Sequence, residues 1–127
     1  MVDTSVWIDY LRGTSTPQSD CLNSLLGNRL IGVGDIILAE VLQGLRRQRD
    51  YEATKRELLT FPLVLMGGRE NALAAADYYR YLRSRGLTVR GLVDCLIAAA
   101  VIAGDHLLLH SDHDFDHFER HLGLRVL

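Results

Sequence analysis

A length of 127 residues favours one compact domain, 1–127, and leaves little room for a second core. With 48% apolar and 24% charged residues the composition is globular, no apolar stretch nears the ~20 residues of a membrane span, and two cysteines are too few for a disulfide framework. A cytoplasmic protein without a membrane segment is expected, with Cys21 and Cys95 as plain thiols, and a net charge of -2 excludes a global basic field.

In chain order, Met1-Val2 reads as a strand stub, after which Thr4 or Ser5 caps a helix through Trp7, Ile8 and Leu11 to Gly13. A second helix is predicted over Ser19 to Leu26, then a buried strand over Arg29 to Val33 between Gly27-Asn28 and Gly34. Asp35 caps a helix from Ile36 to about Leu45. Asp50 starts another that carries a Glu52–Arg56 pair and ends at Pro62. Leu63 to Leu65 is a strand, Arg69 to Arg85 a long helix stopped by Gly86, and Leu92 to Ala103 a central buried helix ending at Gly104. Strands at Leu107 to Leu109 and Leu124 to Leu127 flank a short helix from Asp114 to Arg120, with His121 beyond its end. Alternating strands and helices imply right-handed crossovers, hence a three-layer α/β/α sandwich with a mainly parallel central sheet. In such a sheet a site forms at the carboxyl ends of the strands.

Four regions carry carboxylates that the local pattern does not fully explain. Asp3 leaves the first strand, where a turn or cap Asp is also common. Glu40 is the only charge between Asp35 and Arg46, and a buried carboxylate needs a partner or a metal. Asp94 opens the most apolar helix, where the helix dipole alone would favour it. Asp112 and Asp114 follow a strand in His110-Ser111-Asp112-His113-Asp114-Phe115, and either also suits a cap. Carboxylates gathered at one place repel unless a divalent cation neutralises them, and oxygen-only ligation at this charge suits Mg²⁺ or Mn²⁺. Such ions acidify an attacking water and stabilise charge building on a phosphoryl group, so phosphodiester hydrolysis to a 5′-phosphate and a 3′-hydroxyl is the expected chemistry. With five acids at such a site, the 14 basic residues outnumber the remaining 11 acids, and 13 of the 14 are Arg, the better fork for phosphate.

These residues resemble the PIN-domain nucleases, and among them the VapC-type toxins of prokaryotic toxin-antitoxin pairs. Val2-Asp3-Thr4-Ser5-Val6-Trp7-Ile8-Asp9-Tyr10-Leu11-Arg12-Gly13 looks like the first motif of that family and Ala39-Glu40-Val41-Leu42-Gln43-Gly44 like the second. Thr88-Val89-Arg90 leading into Asp94-Cys95-Leu96-Ile97-Ala98-Ala99 resembles the third, and the Asp112/Asp114 segment the fourth. The resemblance implies a Mg²⁺-dependent endoribonuclease in which Asp3, Glu40, Asp94 and either Asp112 or Asp114 form the catalytic metal quartet; Asp112, directly after the strand, is favoured, which leaves Asp114 an outer ligand. It implies Ser5 beside Asp3, and Arg90 at the mouth of the site meeting RNA phosphate or a carboxylate of an inhibitory partner. His113, between the two acids, is a candidate substrate contact. A VapB-like antitoxin is the implied partner, with a homodimer of the chain building a heterotetramer or larger assembly. Family members often have several apolar residues before the first Asp; only Met1 and Val2 precede it here, which predicts a less firmly held Asp3 and a trimmed or unusual start.

His113, His117 and His121 repeat at helical spacing, which suits an exposed polar face better than a zinc site without cysteine. Arg46, Arg47 and Arg49, and Arg80, Arg83 and Arg85, read as solvated faces before RNA tracks. Trp7, Tyr78, Tyr79 and Tyr81 read as packing residues before base-stacking ones, and the apolar first helices as dimer surface. A PIN nuclease of RNA processing without toxicity is the near alternative. A receiver-type Mg²⁺-binding signalling module is the distant one, and it lacks the lysine it needs after a late strand, since the sole Lys55 falls in a predicted helix.

Overall fold

The computed structural model describes residues 1–27 and 30–127, which form two compact units, Met1–Val64 with Leu109–Ser111 and Leu65–Leu108 with Asp112–Leu127. In the first unit Asp3, not Thr4 or Ser5, caps α1 (Thr4–Leu11), because Val2 pairs in parallel with Leu109 and the Asp3 N–H donates to the Leu109 carbonyl at 2.9 Å. Val6 and Trp7 on α1 are buried, and Trp7 meets Phe61 at 6.0 Å between ring centroids. The helix α2 (Pro17–Leu25) begins two residues before its expected start, since Thr16 and Ser19 form a capping box and Pro17 suits the first turn.

The next strand, β1 (Val33–Gly34), pairs in parallel with β2 (Leu63–Val64), Val33 opposite Leu63. It is shorter than expected and takes in Gly34; the predicted start at Arg29 lies outside the described residues. Gly34 caps α3 (Asp35–Gln43), so Asp35 is a first-turn residue rather than the cap, and its carboxylate accepts from the Ile36 N–H. Ile37 and Val41 bury the inner face of α3, which leaves Glu40 half-buried on its flank. The helix α4 (Gln48–Leu58) starts before Asp50 and stops short of Pro62; Glu52 accepts from Gln48 rather than pairing with Arg56.

In the second unit α5 (Arg69–Ser84) packs along α6 (Leu92–Ala103). Ala98, Ala99 and Ala100 are buried on α6, and such small side chains let helices approach closely. Asn71 on α5 ties the two together, its amide donating to the carbonyls of Leu96 at 3.0 Å and of Met66. Gly86 at φ +74 ends the long helix as expected. Leu108 pairs in parallel with Val126, and α7 (Asp114–Leu122) buries Phe115 and Phe118 against the unit's interior. That helix runs past Arg120, so His121 lies on it, because left-handed Gly123 supplies the stop. Every described strand pairing is parallel, as the alternation of elements implied. No helix among the described residues is long and apolar enough to cross a membrane.

Candidate functional site

Asp3, Ser5 and Glu40 belong to the first unit, Arg90, Asp94, Asp112, His113 and Asp114 to the second. Asp3 is only 4% exposed, which is costly for a carboxylate unless donors face it. Ser5 supplies two to Oδ2, its backbone N–H at 2.9 Å and its hydroxyl at 2.5 Å. The Ser5 oxygen in turn accepts from the Ser111 N–H at 3.1 Å, so the residue before Asp112 is bound to the turn that carries Asp3. Asp3 is therefore firmly held despite its short strand; the pairing with Leu109 and the Ser5 bonds do what a longer strand would have done. Glu40 is reached from the same turn, its Oε2 accepting from the Thr4 hydroxyl at 2.6 Å. The structure thus brings the Asp3 turn and Glu40 together, and Ser5 orients Asp3 instead of capping α1.

The second unit holds a denser network. Arg90 Nη2 donates to both oxygens of Asp112, at 2.7 and 2.6 Å, and Arg90 Nε donates to Asp114 Oδ2 at 3.0 Å. The Arg90 backbone N–H also reaches Asp114 Oδ2 at 3.0 Å, and the Asp114 N–H reaches Asp112 Oδ1 at 3.0 Å. Burial pushes the Asp114 carboxyl up, but the Arg90 hydrogen bonds and the charges of Arg90 and His117 outweigh it and hold the group below the usual carboxylate range. The Arg90 guanidinium is raised in turn, first by its bond to Asp114 and then by the charge of Asp112. Asp94 stands half-buried in the first turn of α6. Burial first, and the charge of Asp94 second, push the neighbouring Cys95 thiol up to about 11.

His113 does not join the acids: its side chain is 99% exposed and its Nδ1 lies 3.2 Å from Asp116. Among the described residues, no three His, Cys, Asp or Glu side chains stand grouped ready to hold a metal ion, the α7 histidines included. An open groove lined by Leu26, Glu57, Thr60, Phe61 and Pro62 contains none of the candidate residues. Two contacts escaped the sequence. Thr4 was readable only as a cap, although a hydroxyl beside a candidate acid is itself a signal. Arg90 faces its own chain's acids, and opposite charges 22 and 24 positions apart leave no periodic trace.

The described strand pairings are parallel, with acids at a strand exit and on two helices, which is the arrangement of an α/β domain. Residues 1–121 match the PIN domain family, and the chain belongs to it. Over 99% of its length it is 32% identical to the VapC ribonuclease Mb1587 of Mycobacterium bovis, and equally so to ribonuclease VapC11 of Mycobacterium tuberculosis, covering 96% of each. Its fold is similar to that of VapBC2 from Rickettsia felis bound to a DNA fragment from their promoter, at TM-score 0.73 and 20% identity over 100% of this chain and 96% of that one. DNA-bound VapBC from Salmonella typhimurium is similar at TM-score 0.73 and 17% identity, over 100% of this chain and 95% of that one.

Proposed function

We propose that this chain is a VapC-type endoribonuclease toxin, working as one nuclease domain over 1–127 and neutralised by a VapB-like antitoxin. The observation that carries the reading is the similarity, along nearly the whole chain, to relatives named as ribonucleases. Asp3, Glu40, Asp94 and Asp112 are the residues proposed to hold a divalent cation, Mg²⁺ or Mn²⁺, with Asp114 an outer ligand. The donors fit such an ion: all are carboxylate oxygens, and the one at Asp3 is buried and already oriented. When bound, the cation supplies an acidified attacking water and neutralises charge on the phosphoryl group.

The chain's own residues do the positioning. Ser5 fixes Asp3 and Thr4 fixes Glu40, both through uncharged donors. The backbone N–H of Arg90 fixes Asp114 and that of Asp114 fixes Asp112, and Asp112 is the direct ligand in this reading because it stands nearer the end of the strand that pairs through Leu109. The Arg90 side chain, 73% exposed, is the nearby cation for an RNA phosphate.

The test is cleavage of single-stranded RNA by the purified chain. With Mg²⁺ it yields fragments that a 5′-phosphate-dependent exonuclease degrades, and Asp94→Asn lowers the rate at least roughly a hundredfold. Cleavage that survives EDTA and Asp94→Asn equally, or no cleavage by the partner-free chain with Mg²⁺, contradicts the proposal.

A further inference from the structure

The candidate acids differ in what holds them. The described donors at Asp3 Oδ2 and Glu40 Oε2 are hydroxyl and amide groups, dipoles that remain in place when a cation arrives. At Asp112 the principal partner is a full positive charge: Arg90 Nη2 touches both carboxylate oxygens. A guanidinium and a divalent ion compete for the same lone pairs and repel each other across them. The same guanidinium is the fork that suits a phosphate.

We propose that the Arg90 side chain is a displaceable counter-ion of Asp112, which transfers to an RNA phosphate when substrate binds and thereby couples substrate binding to cation binding. The inference rests on the metal-dependent reading above. Three features make the transfer feasible. The Arg90 side chain is 73% exposed, against 24% for Asp112, so it leaves the pair without being uncovered. An exposed ion pair contributes little to stability, so the competition with phosphate is close. Two backbone bonds, Arg90 N–H to Asp114 and Asp114 N–H to Asp112, keep both carboxylates placed once the side chain has gone.

Coupling of this kind is reciprocal: RNA tightens cation binding by the factor by which the cation tightens RNA binding. Without substrate, Arg90 neutralises Asp112 and keeps cation affinity low.

The experiment measures Mn²⁺ binding by electron paramagnetic resonance, with and without a 2′-O-methyl RNA oligonucleotide that resists cleavage. For the wild-type chain the oligonucleotide tightens Mn²⁺ binding by roughly tenfold, within the ordinary range of such couplings. Arg90→Met, at an exposed position, keeps the thermal midpoint, binds Mn²⁺ without RNA about as tightly as the RNA-loaded wild type, and gains less than about twofold from the oligonucleotide. Wild-type Mn²⁺ affinity that RNA leaves unchanged, or weaker Mn²⁺ binding in Arg90→Met, overturns the coupling while leaving the metal-dependent reading standing. A wild-type chain that binds no Mn²⁺ under either condition overturns both.

Discussion

The Ser5 hydroxyl both donates to the Asp3 carboxylate and accepts from the Ser111 N–H. Removing that oxygen strands one donor and uncovers a buried charge. Ser5→Ala is therefore expected to cost about 1–3 kcal/mol in urea unfolding and to weaken Mn²⁺ binding in titration; an unchanged midpoint together with unchanged binding would remove Ser5 from the account. The thiols behave differently from each other. Cys95 is fully buried and Cys21 half-buried, so a thiol reagent should modify only Cys21 in the native chain and both after denaturation. Equal native reactivity would contradict the packing of α6. At this scale the sequence exposed the acids but not their partners. Asp3, Thr4 and Ser5 are three consecutive cap-competent residues, and only the pairing of Val2 with Leu109 selects Asp3.

Among the elements, α6 was the most legible. Its apolar run and Gly104 set bounds of Leu92–Ala103 that the structure reproduces, because a helix that is apolar nearly all round has no other stable place. Enlarging a buried alanine there should overpack it: Ala98→Leu is expected to destabilise by about 1–3 kcal/mol in urea unfolding. Gly86 gives the opposite kind of test. Nothing lies within 4 Å of an added Cβ, yet φ is +74, so Gly86→Ala should cost about 1 kcal/mol through backbone strain alone. A cost near zero would mean that the turn relaxes. The strands were least legible, since β1 and β2 are two residues each and their register comes from cross-chain pairing. On α1 and α2, expected as dimer surface, Val6, Trp7 and Leu22 are buried inside the first unit, while Ile8, Tyr10 and Leu11 stay half-buried.

For the whole molecule, the family was legible because four short acidic motifs follow one another in order along the chain, a pattern that survives even where strand boundaries are misjudged. The division into two compact units was not legible, since no linker or change of composition marks it. The proposed function requires that Asp3, Glu40, Asp94 and Asp112 contribute to one cation site. The most direct measurement is Mn²⁺ binding to the RNA-loaded chain and to Asp3→Asn, Glu40→Gln, Asp94→Asn and Asp112→Asn, each checked for folding by circular dichroism. Every one of the four is expected to lose at least roughly tenfold in affinity if they share one cation. Folded variants that all bind Mn²⁺ as tightly as the wild type would contradict it.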